Sequence, residues 1–371
     1  MSRLDKLINE YCPDGVEYVR IGDVTNYIQP SRYIVKSTKY DDKYDTPVLT
    51  AGQTFILGYT DETEDIFPAS KENPVIIFDD FTGAFKWVDF GFKVKSSAMK
   101  ILTADENKTT LRYIFHVMGY LGYTSSEHKR LWIGIYSDFR IPVPPLPVQC
   151  EIVRILDNFT ELTAELTAEL NKRQKQYSFY RSQMVSFDET VPRRKIGDIC
   201  DVFVGGEAPA DCIKGSEPDD EHSFPVWGNG RDVYGYAGSY TIQEDAVCIS
   251  SIGANTGDVF YHKGKFTPII RLKVIVPKTS DVNNRYLYHA VSTVDFAPKK
   301  SSVPNMSASD IKKAVIPLPD IEIQRKIADI LDKFDDICND LSSGIPAEIN
   351  ARQKQYEYYR DKLLTFEEKR A

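Results

Sequence analysis

Apolar residues recur at three- and four-residue steps through Ile152, Ile155, Phe159, Leu162 and Leu166, and resume at Tyr177, Tyr180, Met184 and Phe187. That spacing keeps one face of an α-helix apolar. Between the two groups, TELTAELTAEL places leucine every four residues beside glutamates, and neither Gly nor Pro interrupts from about 150 to 187. At about 1.5 Å per residue the pattern predicts a rod of roughly 55 Å. A soluble helix of that length needs a partner along its stripe. The comparable stripe runs through Ile327, Ile330, Phe334, Ile337 and Leu341, then Ile349, Tyr356, Tyr359, Leu363 and Phe366. Gly344 and Pro346 predict a break near 342–346, with Pro346 opening the next helix. An intramolecular antiparallel pair is the economical packing; two separate helices, each lying on its own domain, is the alternative.

The two stripes are copies. RQKQY occurs at 173–177 and at 352–356, and the lead-ins IPVPPLPVQ (141–149) and IPLPDIEIQ (316–324) precede them. Aligning Gln149 with Gln324 puts Ile152 on Ile327, Leu156 on Leu331, Asp157 on Asp332 and Phe159 on Phe334; the same spacing puts Ile21–Asp23 on Ile196–Asp198. After Phe334 the second copy carries four extra residues, beyond which Tyr180 matches Tyr359 and Phe187 matches Phe366. The segments before each stripe hold short runs such as NPVIIF (73–78), KVKSSAMKIL (93–102), DAVCIS (245–250) and RLKVIV (271–276), separated by Gly and Pro turns. Such runs predict strands. Internal helices are expected at 109–121 and 283–293. The expected fold class is α+β: two β-rich domains separated by two long helices packed as an antiparallel coiled coil, with a pseudo-two-fold internal repeat. The expected boundaries are 1–147 and 190–320 for the domains, 148–189 for the central helix and 321–371 for the C-terminal one.

Composition narrows the function. At 371 residues the prior is two domains, and 42% hydrophobic with 27% charged residues is ordinary for a globular protein. No run approaches eighteen apolar residues and the N-terminal segment lacks a signal-peptide core, so a cytosolic protein without membrane contact is expected. Six cysteines without a C-x-x-C pair and five scattered histidines predict reduced thiols and no metal site. The net charge of −8 argues mildly against a free-standing DNA binder, although local basic patches and partner subunits can supply the field.

Motifs for catalysis are lacking. An adenine methyltransferase needs a glycine-rich cofactor loop and an Asn/Asp-Pro-Pro-aromatic element; Asn73-Pro74-Val75-Ile76 matches half of the latter and reads better as a proline-started strand. Glu367-Glu368-Lys369 resembles a nuclease fragment only in a terminal tail, and Asp219-Asp220-Glu221 reads as a solvated charge run. No phosphate-cradling GK[ST] loop is present. No catalytic residue and no cofactor are expected.

In the wording of its helices the chain closely resembles the specificity (S) subunits of type I restriction-modification systems. The resemblance rests on the opening LDKLINEYCPDGVEY, on EIVRILDNFTELTAELTAELNKRQKQYSFYRSQMVSF (151–187) and on KIADILDKFDDICNDLSSGIPAEINARQKQYEYYRDKLLTF (326–366). It implies that each globular segment is a target-recognition domain reading one half of a bipartite, asymmetric sequence in double-stranded DNA. It further implies that the helices set the spacing and dock two methyltransferase (M) subunits, that restriction (R) subunits complete the complex, and that the S subunit catalyses nothing. About 30 helical residues between the domains span about 45 Å, on the order of 13 base pairs at about 3.4 Å each. A coiled-coil scaffold with protein-binding ends is the alternative, as is a subunit serving a fused nuclease-methyltransferase.

Matching loops are the candidate DNA contacts. TAGQT (50–54) and WGNGRD (227–232) each follow Pro-Val and offer Gln53, Thr54, Asn229 and Arg231 for base edges; a plain hairpin turn competes with that reading. FDDFTGAFK (78–86) and SSIGANTGD (250–258) offer Lys86 for phosphate and Asn255 and Thr256 for phosphate or base, and a structural turn competes with that reading. EHKRLW (127–132) and APKKSSVPN (297–305) offer Lys129, Arg130, Lys299 and Lys300 for phosphates, against the alternative of a solvated basic face. On the helices, Phe159, Leu166, Arg173, Tyr177, Tyr180, Phe187, Phe334, Arg352, Tyr356, Tyr359 and Phe366 are assigned to helix packing or partner docking rather than to DNA.

Overall fold

The computed structural model describes residues 2–52, 54–123, 129–215, 217–253, 255–296, 305–340 and 342–369. The chain divides into two compact units, Met1–Glu165 with Ile349–Ala371, and Leu166–Glu348.

In the first unit, helix α1 (Arg3–Tyr11) is followed by strands β1 (Tyr18–Arg20), β2 (Thr25–Ile28), β3 (Thr46–Leu49), β4 (Ile56–Thr60), β5 (Val75–Asp79), β6 (Phe85–Val88), β7 (Lys93–Val94) and β8 (Met99–Ala104), helix α2 (Leu111–Leu121) and strand β9 (Arg140–Pro142). An antiparallel sheet in the order β2-β8-β5-β6 lies beside a smaller one in the order β4-β3-β7, where β3 and β7 are parallel. All of Val75, Ile76, Ile77 and Phe78 are buried because both faces of β5 are covered. Ile76 and Phe78 pack with Tyr113, Ile114 and Val117 of α2. Val75 and Ile77 pack with Leu49, Phe92 and Val94 on the side of the small sheet. A continuous apolar run, not an alternating one, is what a strand sandwiched in this way requires.

Helix α3 (Leu146–Met184) is unbroken. Its residues up to Glu165 belong to the first unit and those from Leu166 to the second. The second unit continues through β10 (Arg193–Lys195), α4 (Ile196–Ile199), β11 (Cys200–Val204), β12 (Ile213–Lys214), β13 (Phe224–Trp227), β14 (Gly235–Ala237), β15 (Ala246–Ile249), β16 (Val259–His262), β17 (Thr267–Pro268), β18 (Lys273–Pro277), α5 (Asn284–Val291), α6 (Ala308–Lys313), β19 (Val315–Pro317) and α7 (Ile321–Asn339). Its sheets, β11-β18-β15-β16 and β12-β14-β13-β17, repeat the first unit's plan with one added short strand. Val247 and Ile249 pack with Tyr286 and Leu287 of α5, and Cys248 packs with Phe266 and Leu272 on the opposite face. Helix α8 (Ile345–Leu363) returns to the first unit.

Both lead-ins are fastened in the same way. The fully buried Gln149 accepts from the Thr109 hydroxyl and the Thr110 amide and donates to the Lys108 and Pro144 carbonyls. Gln324, also fully buried, accepts from the Asn283 amide and donates to the Asp281 and Pro319 carbonyls. Thr110 and Asn283 are the N-caps of α2 and α5. Each glutamine thus ties a long helix to its domain through a buried amide, with all four hydrogen-bonding positions filled at Gln149 and three at Gln324. Between α7 and α8, a Cβ on Gly344 would lie 2.5 Å from the Asp336 carbonyl oxygen, so that approach excludes a side chain.

Candidate nucleic-acid and partner interfaces

The β3, β5, β13 and β15 strands end at matching loops, and in the second unit hydrogen bonds draw those loops together. In the second unit the hub is Asn229. Its carboxamide donates to the Ile270 carbonyl and accepts from the Ser250 hydroxyl and, at 2.7 Å, the Ser251 amide. Its own carbonyl accepts from the Asn255 side chain at 3.2 Å. The Asn229 amide therefore acts as a strut inside the loop cluster. Arg231 is 79% exposed, 3.6 Å from Asp258, and free to reach outward. Thr256 donates to the Gly253 carbonyl within its turn.

In the first unit the hub is Asp80, which is 1% exposed. It accepts from the amides of Leu131 (3.2 Å) and Trp132 (2.8 Å) and pairs with Arg130 (3.1 Å) and Lys100 (3.5 Å). This carboxylate pins the 129–132 segment to the end of β5 and presents Lys129 and Arg130 on the surface. Arg130 also lies over the Phe81 ring at 5.8 Å. Thr54 is exposed on the β3–β4 connection, while Lys86 is half-buried on edge strand β6 opposite Ile77. Gln53, Lys299 and Lys300 lie outside the described residues.

The helix residues pack in two equivalent sets. In the first unit Phe159 stacks on Tyr359 at 5.3 Å; in the second, Phe334 contacts Tyr180 at 5.6 Å and Tyr177 at 6.3 Å. Within each unit the helices run antiparallel, because the segments just beyond α8 and α3 return to the strands that lead into α3 and α7. Arg140 pairs with Glu368 at 2.6 Å, and the Leu318 amide donates to the Pro192 carbonyl. Phe187 and Phe366 pack at the rims of the two cores, and Leu166 is half-buried on α3. Arg173 pairs with Glu169 of its own helix at 2.6 Å, and Arg352 donates to Gln355 of its own helix.

Beneath each helix pair lies a polar cluster in which only the tyrosines, Tyr356 and Tyr177, were among the sequence-derived candidates. In the first unit, the fully buried His116 lies 2.8 Å from Asp157 through Nε2 and 3.2 Å from the Tyr356 hydroxyl through Nδ1, while Arg112 donates to Asp157 at 2.8 Å. In the second, fully buried His289 lies 2.7 Å from Asp332 and 3.3 Å from Tyr177, and Arg285 spans Asp332 (2.7 Å) and Asp335 (3.1 Å). Burial opposes the charge on Asp157 and Asp332, but the histidine hydrogen bond and the guanidinium outweigh it and hold both below the usual carboxylate range. Burial pushes His289 down and keeps its ring neutral near pH 7. The available signal was the Arg-x-x-x-His spacing shared by Arg112/His116 and Arg285/His289. Crossing repeats obscure it: the tyrosine of the first RQKQY closes the second unit, and that of the second closes the first.

Part of the helical surface is apolar and uncovered. Ile323, Ile330 and Ile337 of α7 are 43–45% exposed at seven-residue intervals, and the equivalent positions Phe179 and Tyr358 are 60% and 62% exposed. Among the described residues no group of three or more His, Cys, Asp or Glu side chains is placed to hold a metal. No described helix is long and apolar enough to cross a membrane.

Two copies of one sheet sandwich, each with loops at matching strand ends and an antiparallel helix pair, define a duplicated two-unit architecture. The family sequence model described as "Type I restriction modification DNA specificity domain" matches residues 13–175 and 189–351, and the chain belongs to that family as a type I restriction-modification specificity subunit. It is 43% identical to the type I restriction enzyme EcoR124I/EcoR124II specificity subunit of Escherichia coli, over 99% of this chain and 97% of that one. It is 27% identical to a putative type I restriction enzyme specificity subunit of Haemophilus influenzae, over 95% and 96% of the two chains. Among solved structures, the type I restriction-modification S subunit from M. genitalium shares the fold with a TM-score of 0.63 at 15% identity, covering 94% of this chain and 96% of that one.

Proposed function

We propose that each unit reads one half of a bipartite, asymmetric sequence in double-stranded DNA, and that the long helices fix the gap between the half-sites. The observation that carries this reading is the repetition of one sheet sandwich, with loops at matching strand ends, in two units. One unit presents Lys129 and Arg130 and the other Arg231, so similar scaffolds display different side chains. Thr54, Lys86, Asn255 and Thr256 complete the proposed DNA-facing set, with Asn229 bracing the loop from which Arg231 reaches. Gln53, Lys299 and Lys300 are proposed from the sequence alone.

The uncovered α7 isoleucines and Phe179 and Tyr358 would dock two M subunits, and R subunits would join that complex. A solvent-exposed apolar row with seven-residue spacing is what a partner helix covers. This chain would contribute recognition and no catalytic group, acting on DNA in the cytosol without membrane contact. Methylation mapping of DNA from a host carrying this chain with its M partner tests the reading. A bipartite N6-methyladenine motif with two unlike halves is expected; an unmodified genome in the presence of active M would refute it.

A further inference from the structure

We infer that Ile270 and Arg271 are specificity-determining residues of the second unit, with Arg271 reading a guanine edge in the major groove and Ile270 making the adjoining apolar contact to a thymine methyl. This rests on the reading of the chain as a DNA-specificity subunit, and it adds two residues that the loop comparison left out.

Ile270 (φ 51°) and Arg271 (φ 62°) are consecutive non-glycine residues in left-handed backbone. For a β-branched residue that geometry is a true outlier, and it persists only where the surroundings over-determine it. Here they do. The Ile270 amide donates to the Gly206 carbonyl at 2.9 Å and the Arg271 amide to the Gly205 carbonyl at 3.0 Å. The Ile270 carbonyl accepts from the Asn229 side chain, and the Arg271 carbonyl accepts from the Ser251 hydroxyl (2.6 Å) and the Lys273 ammonium (2.7 Å). Gly205 is required for this approach, since a Cβ there would lie 2.8 Å from Ile269 backbone atoms.

The flanking side chains, Ile269 and Leu272, are buried, whereas Ile270 is 50% exposed and Arg271 points outward. The Arg271 guanidinium has no hydrogen bond or ion pair among the described residues. Strain that fixes a half-exposed isoleucine and an outward-pointing arginine gains little packing within the unit, so its use lies outside the unit. The turn sits in the same cluster as Asn229, Arg231 and Asn255. A guanidinium pairs bidentately with guanine O6 and N7, and an aliphatic side chain packs on a thymine methyl.

The ground beneath the turn points the same way. Phe78 pairs with Lys100 on β8 and Ile249 pairs with Lys273 on β18, which makes the two lysines equivalent. Both are 4% exposed. Lys100 has Asp80 as its counter-ion at 3.5 Å, but Ser251 stands in that place for Lys273 and donates no charge. A buried cation without a carboxylate among the described residues therefore underlies the turn and favours an electron-rich partner above it. In the first unit the equivalent positions are Ser97 and Ala98, so the two halves would read different bases.

The test uses the full chain assembled with its M subunits and a library of DNA duplexes. Sequence-dependent binding by the unsubstituted complex is the reference; its absence would refute the specificity-subunit reading rather than this inference. Arg271→Ala is expected to lower discrimination at one base pair of one half-site by about 5- to 150-fold, with the other half-site and the spacing unchanged. A uniform loss of affinity with a salt slope reduced by about one marks a phosphate contact and overturns the inference, as does an unchanged motif. Arg271→Lys keeps the charge, loses the bidentate fork and should relax the same base pair. Ile270→Gly relieves the left-handed strain, so unfolding temperature should hold or rise while discrimination at the neighbouring base pair falls. An unaltered motif in that well-folded variant would overturn the role of Ile270.

Discussion

Replacing Asp332 by asparagine tests whether the buried cluster under the second unit's helix pair fastens helix to domain. Asp332 accepts from His289 at 2.7 Å and from Arg285 Nε at 2.9 Å. Hydrogen bonds to charged groups contribute about 1.5–3 kcal/mol each. The full sum is not expected, because asparagine keeps one acceptor oxygen and Arg285 retains Asp335 at 3.1 Å and the faces of Tyr261 and Tyr288 at 4.4 and 4.9 Å. Partial exposure of Arg285 and Asp332, at 25% and 29%, lowers the figure further. A net loss of about 2 kcal/mol follows, equivalent to an unfolding temperature lower by about 4–8 °C for a unit of this size. The pH dependence gives a second readout. The folded-state pKa of Asp332 is depressed, so its contribution is full above the unfolded value of 3.8 and is lost as pH falls through the lower folded value. The gap between the two proteins should therefore be wide at pH 7 and close in acid. Urea unfolding followed by circular dichroism at both pH values measures it. A loss under about 0.5 kcal/mol at pH 7, or an undiminished gap in strong acid, would refute the reasoning.

Two further outcomes are expected. His262 stacks on Trp227 at 4.1 Å, its Nε2 is buried with no hydrogen-bond partner among the described residues, and burial pushes its pKa down to about 4. The folded value is depressed, so its contribution is full above the unfolded pKa of about 6.5 and lost toward pH 4, on the order of 3 kcal/mol in all; His262→Phe should flatten the urea-derived stability curve across that window. Tyr177→Phe should loosen the second unit, with hydrogen exchange in α5 and α7 faster by about 2- to 12-fold and α2 unchanged, while Tyr356→Phe should do the reverse. Faster exchange in α2 of the Tyr177 variant would contradict the crossed arrangement.

The sequence by itself determined the class of element almost everywhere it mattered. Three- and four-residue spacing marked α3 and α7, β-rich runs such as NPVIIF marked the central strands, and the repeat offset marked two equivalent units. These signals are local: they depend on which side chains fit a helix stripe or a covered strand, and neighbours in the chain report it. The duplicated wording also carried the family resemblance. Tertiary structure decided which copy serves which unit. RQKQY reads as the end of its own repeat, yet Tyr177 meets His289 and Tyr356 meets His116, because the helices fold back antiparallel and exchange their ends. It also decided what the candidate side chains do. Asn229 looked outward from a Gly-rich loop, but its amide is engaged by Ile270, Ser250 and Ser251. Ile270 and Arg271 lay hidden inside an apolar run, since left-handed backbone on non-glycine residues has no sequence signature and arises only when distant carbonyls, an amide and a buried lysine together hold the turn.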